Sequence, residues 1–386
     1  MPEPSAAALE HSEQLVQHIL AHIETAQGRI GFDTFMDLAL YAPGLGYYSA
    51  GSAKFGEAGD FVTAPEISPA FAVCVAGQCA EVLQTSGGSI LELGAGTGRL
   101  AVGILAALER RAALPDRYLI LEPSAELQHR QRLLIAEQLP GMLARVEWLA
   151  ELPGQPINGV IVANEVADAL PVERFCVVPD GVEECGVVNK AGGLAIQNAP
   201  ARPELQAAVE CIQEALDEPL PAGYCAEVCL RLPAWVASIA GVLGKGMLLL
   251  FDYGLPRREL YRAERSTGTL RCHYRHRAHY DALVYPGLQD ITAWVDFTAL
   301  AEAAVSAGLE VSGFTTQAQF LLAAGLDEYM QEVAAEDPRT TAALAAGVRQ
   351  LIMPGEMGES IKAMCLTSAG IEAPSAFSGK DLRRSL

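Results

Sequence analysis

One stretch near residue 90 restricts the fold of this chain more than any other. Residues 89–93 form a short apolar run that contains one acid, Glu92, and a second apolar run covers residues 100–108. Glycines stand between them at every second position: Gly94, Gly96 and Gly98. A buried strand, a glycine turn and a helix in this order predict a β-α unit of an α/β protein.

The spacing of these glycines also restricts the ligand. Glycine lets the backbone adopt positive φ and lets a ligand approach where a Cβ atom would block it. A dinucleotide fingerprint has two residues between its second and third glycines, so that a pyrophosphate rests on the helix N-terminus. Here the spacing is even, and the carboxylate of Glu92 would repel phosphates. A nucleoside with a cationic amino-acid tail suits this turn better, and we therefore expect S-adenosylmethionine.

A second strand supports this interpretation. Residues 117–122 form another short apolar run that ends in an acid, Glu122. In a doubly wound sheet, the acid at the end of the second strand faces the ribose hydroxyls of the ligand. We therefore assign Glu92, Glu122 and the three glycines to cofactor binding. The alternative is a plain β-α turn without a ligand.

The charge of the chain limits its partners. Its 386 residues include 47 acids and 27 basic residues, which gives a formal net charge of −20. This charge disfavours a nucleic-acid partner. A basic protein or peptide fits the field of the chain, and solubility is an equal explanation for the charge.

The nine cysteines are scattered, without the paired Cys-x-x-Cys spacing of a zinc site. Free buried thiols in a reducing compartment are the simplest interpretation. The N-terminal residues show no targeting pattern, and no apolar stretch reaches the length of a membrane span. We expect a cytoplasmic protein without a metal and without a membrane span.

The fourth predicted strand, residues 158–163, is followed by three polar residues: Asn164, Glu165 and Asp168. Open α/β sheets bind ligands at the carboxyl ends of their strands. These three residues are therefore the catalytic candidates. The alternative is that Asn164 and Asp168 cap a following helix.

A long loop, residues 45–69, is rich in glycine and aromatic residues. A loop of this length is usually functional or disordered, and its aromatic content argues against disorder. We expect it to fold over the cofactor, with Asp60 and Thr63 in contact with the ligand. A packed N-terminal connector is the alternative.

Substrate contacts are expected at and beyond the fifth strand. That strand, residues 246–251, ends at an acid, Asp252, and a basic aromatic segment with His276 and His279 lies further along the chain. Arginines between the histidines would repel a metal cation, so a metal site is not expected. We assign Asp252, His276 and His279 to the substrate, with a structural role as the alternative for each histidine.

Motifs along roughly residues 28–366 resemble the MidA family of S-adenosylmethionine-dependent methyltransferases. They include Gly46-Tyr47-Tyr48, Gly59-Asp60-Phe61 with Thr63, Glu92 to Gly98, Asn164-Glu165 with Asp168 to Pro171, Asp252-Tyr253-Gly254, Asp290-Ile291-Thr292, Val295-Asp296-Phe297 and Met357-Gly358-Glu359. The chain departs from the family at Val166 and Ala167, where two phenylalanines are usual. Either the acceptor site is roomier here or other residues supply the bulk.

The resemblance implies a class I methyltransferase fold, which is Rossmann-like and doubly wound, with a mostly parallel seven-stranded sheet. It also implies an N-terminal helical extension and a small inserted lobe. Eukaryotic members of the family include a mitochondrial assembly factor that methylates an arginine of a core complex I subunit. By resemblance, the partner is a protein substrate with an acceptor arginine, such as a complex I subunit.

An arginine acceptor would give the strand-end carboxylates a role. A guanidinium group stays protonated and has no free lone pair. Glu165 and Asp168 would grip its fork and turn one nitrogen towards the methyl group. The alternatives are a non-catalytic assembly chaperone that binds the cofactor and a small-molecule methyltransferase. The oligomeric state, a homodimer included, is left open.

We divide the chain into four parts. These are a helical and loop extension over the cofactor site at residues 1–80, a methyltransferase core at 81–171 and 246–366, an inserted α+β lobe at 172–245 and a flexible tail at 367–386. Within the lobe, apolar runs at 175–178 and 184–188 predict a β-hairpin.

Overall fold

The computed structural model describes residues 1–50, 63–336 and 338–386, so the predicted cofactor residue Asp60 lies outside the described residues. The strands are β1 (Arg29–Gly31), β2 (Ser89–Leu93), β3 (Tyr118–Leu121), β4 (Val146–Leu149), β5 (Ile157–Asn164), β6 (Glu173–Val178), β7 (Gly181–Lys190), β8 (Gly193–Pro200), β9 (Cys225–Val228), β10 (Leu243–Leu255), β11 (Arg271–Tyr274), β12 (Arg277–His279), β13 (Asp290–Thr292), β14 (Val295–Asp296), β15 (Glu310–Thr316) and β16 (Ile361–Thr367).

The α-helices are α1 (Ala6–Thr25), α2 (Phe32–Tyr41), α3 (Ala64–Ile67), α4 (Pro69–Ser86), α5 (Arg99–Arg110), α6 (Ala125–Gln138), α7 (Pro203–Glu214), α8 (Leu232–Val242), α9 (Arg257–Leu260), α10 (Phe297–Ser306), α11 (Gln317–Ala323), α12 (Leu326–Glu336), α13 (Pro338–Ile352) and α14 (Met357–Ser360). Among the helices of the described residues, none combines the length and the apolar character that crossing a bilayer requires.

The chain forms two compact units, each built from three segments. The first unit contains Met1–Phe61, Asp168–Leu232 and Leu255–Ala299, and the second contains Val62–Ala167, Pro233–Gly254 and Leu300–Leu386.

This division differs from the predicted boundaries. Helix α4 crosses the predicted boundary at residue 80 and belongs entirely to the second unit, whereas residues 255–299 of the predicted core belong to the first. The N-terminal extension and the predicted lobe also share one sheet, because β1 pairs with β7 and places Arg29 opposite Val188. A free edge of the lobe is thus completed by a strand from far away in the sequence.

The sheet of the second unit has the predicted doubly wound form. Its strands follow the order β15-β16-β10-β5-β2-β3-β4. The five strands from β10 to β4 are parallel, and β16 runs antiparallel to both β10 and β15. The apolar runs predicted as buried strands suit a parallel sheet, whose two faces are covered by helices. The order brings the carboxyl ends of β2, β3 and β5 to one edge of the sheet.

The tail after residue 366 is packed, contrary to the predicted flexible segment. Phe377 is buried and lies edge-to-face with Phe320, with 5.5 Å between ring centroids. The N–H of Leu382 also donates to the carbonyl of Phe314 at 2.8 Å. The sequence-based expectation was wrong because the polar composition of the tail hides apolar anchors, Ile371 and Phe377, that pack into the folded core.

The first unit contains a sheet with the order β1-β7-β6-β9, to which β8 adds beside β7. Strands β6 and β7 form the predicted hairpin, with Phe175 opposite Glu184 and residues 179–180 in the turn. A separate three-stranded sheet has the order β12-β11-β13. Helices α1 and α2 contribute buried side chains to the same apolar core as Val187 of β7.

A disulfide links two of the cysteines that were expected to be free thiols. Cys176 of β6 and Cys225 of β9 lie directly opposite each other on paired strands and are joined by an S–S bond. The Sγ atom of Cys185 on β7 lies 3.6 Å from that of Cys176. The sequence could not indicate the pairing, because 49 residues separate the two cysteines and only the sheet brings them together.

We expect loss of this bond to destabilise the protein. The double substitution Cys176→Ser and Cys225→Ser should lower the free energy of unfolding by about 2–4 kcal/mol, because the cross-link restricts the unfolded chain. Thermal unfolding with and without reductant measures the effect. The matched control is Cys211→Ser, which removes an exposed free thiol of α7 and should change nothing. Peptide mapping of the untreated protein that finds both Cys176 and Cys225 as free thiols would contradict the assignment.

Candidate functional site

The predicted glycine turn joins β2 to α5 in the second unit. Its glycines all have positive φ, which is 63° at Gly94, 52° at Gly96 and 88° at Gly98. Gly98 is the left-handed N-cap of α5. A Cβ atom on Gly96 would meet no atom of the described residues within 4 Å. No described residue therefore blocks the approach of a ligand to the backbone at Gly96.

A partly buried acid that the sequence analysis missed holds this turn. The carboxylate of Glu66 in α3 accepts a hydrogen bond from the Thr97 hydroxyl and pairs with Arg99, with 2.7 Å between Oε2 and Nε. Helix α3 begins after Thr63, whose carbonyl accepts the N–H of Glu66 at 2.9 Å. Thr63 thus helps to place Glu66, and its own contact with the cofactor stays a prediction. The sequence around Glu66 carries no pattern that could have revealed this role.

Glu92 lies on β2 and is 2% exposed. The hydroxyl of Tyr118 on β3 donates to its Oε2 at 2.7 Å. Burial raises the pKa of Glu92 to about 7, and the charge of Glu122 acts in the same direction. The contact that the structure shows for Glu92 is with the neighbouring strand, so its predicted role in cofactor binding stays a prediction.

Glu122 follows β3 directly and is 5% exposed. Its Oε1 accepts the N–H of Ser124 at 2.9 Å, and its Oε2 lies 3.4 Å from Nε2 of Gln131. Ser124 is also the N-cap of α6, where its hydroxyl accepts the N–H of Leu127. Burial raises the pKa of Glu122 to about 7, against the lowering effect of these hydrogen bonds. A carboxylate held at this strand end can accept hydrogen bonds from two ribose hydroxyls.

The catalytic candidates Asn164 and Glu165 lie at the carboxyl end of β5. Glu165 has a φ of 53°, in the left-handed region that a residue with a side chain rarely adopts. Its Oε1 accepts hydrogen bonds from the N–H of Ala64 and from Nδ2 of Asn164, both at 3.2 Å. Strained backbone of this kind persists only where the surroundings hold it, and it concentrates at functional sites.

Asp252 provides that support. It is 0% exposed and lies on β10, and its predicted contact with a substrate stays a prediction. Its Oδ2 accepts the N–H groups of Val166 at 3.1 Å and Ala167 at 2.7 Å, and the N–H of Glu165 donates to the carbonyl of Phe251 at 2.8 Å. Asp252 therefore positions the Glu165 turn.

Asp168, the third catalytic candidate, belongs to the first unit and is 6% exposed. Its carbonyl accepts the N–H of Ala293 at 2.9 Å. Two aromatic side chains to which the sequence analysis gave no role lie near it, Tyr41 and Tyr48, and Tyr48 donates to Oδ1 of Asp290 at 2.8 Å. Burial, together with the charges of Asp290 and Asp168, raises the pKa of both tyrosines.

The two predicted substrate histidines lie on the β11–β12 hairpin of the first unit. His276 is exposed at the turn, with a φ of 59°, and its neighbour Arg275 has a φ of 48°. His279 accepts the N–H of Asp281 at Nδ1, over 3.3 Å. The substrate roles of His276 and His279 stay predictions. Among the described residues, no group of three or more His, Cys, Asp or Glu side chains is arranged to hold a metal ion.

The second unit therefore brings together the residues that an adenosyl ligand needs. The described residues leave the backbone of Gly96 open to a ligand, and the carboxylate of Glu122 stands at the next strand end. Gln131 contacts both, since its Nε2 donates to the carbonyl of Gly96 at 2.9 Å. These features fit S-adenosylmethionine, the cofactor that the glycine spacing predicts.

The buried pair of Glu92 and Tyr118 generates a prediction on stability. The pKa of Glu92 is about 7 in the folded chain, against an ordinary value near 4.5. Between these values the unfolded chain loses the proton that the folded chain keeps, so stability falls as pH rises. Glu92→Gln removes this titration and keeps an acceptor for Tyr118. Urea unfolding should show that the free energy of unfolding falls between about pH 5 and about pH 8. This fall should be smaller by about 3 kcal/mol in the variant.

The control is Glu310→Gln, which changes an exposed glutamate of β15. Its stability should follow the wild-type curve across the same pH range. Parallel curves for wild type and Glu92→Gln would show that Glu92 does not titrate in this interval.

The chain was compared with known proteins. Residues 74–315 match the sequence profile of a family described as S-adenosyl-L-methionine-dependent methyltransferases. A Burkholderia thailandensis protein, whose crystal structure contains S-adenosylhomocysteine, is 42% identical, with a TM-score of 0.94 and coverage of 100% of both chains. Curated relatives include the mitochondrial protein arginine methyltransferase NDUFAF7 of Danio rerio, which is 29% identical over 92% of this chain and 87% of the relative. The Rattus norvegicus protein of the same name is 28% identical over 92% of this chain and 84% of the relative.

The family match and the shared fold agree with the geometry of the glycine turn. S-adenosylhomocysteine is the product that remains when S-adenosylmethionine has given up its methyl group, so the structural relative supports the same cofactor here. The chain is an enzyme that belongs to the family of S-adenosyl-L-methionine-dependent methyltransferases.

Proposed function

We propose that this enzyme methylates an arginine side chain of a protein substrate. The observation that carries the proposal is the Glu165 turn, where a carboxylate on strained backbone is fixed by Asp252 at the ligand-binding edge of the sheet. Relatives that are 28–29% identical over most of their length bear the name protein arginine methyltransferase. The net charge of −20 favours a basic acceptor segment.

The bound cofactor supplies a methyl group on a sulfonium centre, which is open to in-line displacement. The chain then has to orient the acceptor nitrogen, because alignment of the reacting atoms accounts for much of the rate. A guanidinium group is planar and always charged, and it matches the fork of a carboxylate. Glu165 would hold two of its nitrogens and direct the third, while its negative charge favours the electron distribution that attack requires. The bond from the methyl carbon to sulfur would break as the bond to nitrogen forms, and the methylated nitrogen would give up a proton to water.

Three hydrogen-bonding groups keep Glu165 ready for this task. Ala64 and Asn164 both donate to Oε1, which fixes the plane of the carboxylate. Asp252 holds the following two N–H groups, so the turn cannot relax to an ordinary backbone conformation. We assign Asn164 and Asp252 as positioning residues, and Asp168 as the second carboxylate that the sequence predicts for the guanidinium.

We further propose a subunit of respiratory complex I as the acceptor protein, because the resemblance to the MidA family implies it. Val166 and Ala167 replace two phenylalanines that are usual in that family, so smaller side chains stand beside Glu165. Either the acceptor site is roomier here than in the family or other residues supply the bulk.

Glu165→Gln tests the role of the carboxylate. The amide keeps the shape of the side chain but not its charge, so we expect kcat to fall by about 100-fold or more. The dissociation constant for S-adenosylhomocysteine should stay within about twofold of wild type, because the cofactor residues lie elsewhere. Calorimetry and a methyl-transfer assay measure the two quantities. The control Glu310→Gln should retain both, and near-wild-type activity of Glu165→Gln would refute the mechanism.

The acceptor can be identified by labelling. Purified enzyme is incubated with methyl-labelled S-adenosylmethionine and an extract of cells that lack the enzyme. We expect label on one protein, mapped to an arginine. Gly96→Arg is the matched control, because an arginine side chain would occupy the open space over the turn and would require a strained positive φ. Label confined to small molecules, or no label from enzyme that binds the cofactor, would refute arginine methylation.

A further inference from the structure

We propose that Gln131 is a positioning residue that couples the glycine turn to the ribose-binding carboxylate. Gln131 lies on α6, is 0% exposed, and cannot itself reach a ligand in solvent. It acts through Gly96 and Glu122, the backbone and the side chain that we assign to cofactor binding. The inference concerns the cofactor, so it does not depend on the identity of the methyl acceptor.

The orientation of the Gln131 amide follows from chemistry. The indole N–H of Trp148 on β4 is a donor only, and it lies 2.9 Å from Oε1 of Gln131. The oxygen of the amide must therefore face Trp148, which leaves both N–H groups of Nε2 for the opposite side. There Nε2 lies 2.9 Å from the carbonyl of Gly96 and 3.4 Å from Oε2 of Glu122. A flipped amide would place an oxygen against two acceptors, so Trp148 fixes one arrangement.

The hydrocarbon part of Gln131 also contacts the turn. A Cβ atom built on Gly98 would lie 3.2 Å from Cγ and 3.4 Å from Cβ of Gln131. Gly98 therefore permits the close approach of α6, and the stem of Gln131 fills the space beside it. The side chain restrains the turn at two points, Gly96 by a hydrogen bond and Gly98 by packing.

A fully buried amide is costly unless each of its polar groups is paired. Gln131 meets this condition with one acceptor bond and two donor contacts. Its partners lie in the glycine turn, directly after β3 and on β4. An apolar residue would fill the same volume without the cost. The arrangement is thus explained by a need to hold the carbonyl of Gly96 and the carboxylate of Glu122 in a common geometry.

The test compares two buried glutamines of the second unit. Gln131→Met keeps the length of the side chain and removes all three polar contacts. Gln317→Met is the matched control, because Gln317 is also 0% exposed and donates to the carbonyl of Leu351 at 3.0 Å, at the other end of the sheet. Calorimetry with S-adenosylhomocysteine should show a dissociation constant raised by about 10- to 100-fold in Gln131→Met and within about twofold of wild type in Gln317→Met.

A second ligand separates positioning from a general loss of packing. Removing the 2′-hydroxyl of S-adenosylhomocysteine should weaken binding to wild type and to Gln317→Met by the same factor. The factor should be at least about threefold smaller in Gln131→Met, because Glu122 is no longer held for that hydroxyl. Equal factors in all three proteins would overturn the proposal, and so would equal losses of affinity in the two methionine variants.

Trp148→Phe gives an independent arm if Gln131→Met does not fold. It keeps Gln131 but removes the donor that sets the direction of its amide, so we expect a smaller rise in the dissociation constant, of about 3- to 10-fold. If Gln131→Met does not fold, an affinity of Trp148→Phe equal to that of wild type would refute the coupling. Failure of the wild-type protein to bind S-adenosylhomocysteine would instead count against the cofactor assignment.

Discussion

Hydrogen bonds from buried side chains to the backbone of turns are the interaction on which the candidate site depends. Asp252 accepts two N–H groups of the Glu165 turn, and Gln131 donates to the carbonyl of Gly96. Both turns contain backbone at positive φ, a conformation that the chain would not keep without the surrounding structure. The parallel sheet supplies a rigid edge. These side chains fix the two turns that follow its strands β2 and β5.

Burial at this edge of the sheet also raises the pKa of two acids of the site. Glu92 and Glu122 both have a pKa raised to about 7, chiefly by loss of water. A carboxyl group in this range can exist in either form near neutral pH, so its hydrogen-bond partners decide its state. Tyr118 donates to one acid, and Ser124 and Gln131 donate to the other. Each acid is thereby supported as an acceptor.

Much of this arrangement could be predicted from local patterns. The glycine turn, the successive strands ending near Glu92 and Glu122 and the β6–β7 hairpin each show in a short window of sequence, because each depends on residues that are neighbours in the chain. Gln131 and Glu66 could not be found this way, since one reads as an ordinary helix residue and the other lies in a loop-like segment. The packed tail and the disulfide were missed for a similar reason.

The sequence by itself determined the fold class, the cofactor and the strand-end acids, because hydrophobic periodicity and glycine spacing are local properties. The tertiary structure alone decided that Asp252 supports the Glu165 turn, that β1 completes the sheet of the inserted lobe and that Cys176 joins Cys225. Each of these contacts joins residues that are dozens of positions apart or more. Their energies arise only when strands pair and water leaves, and no short window of sequence records that event.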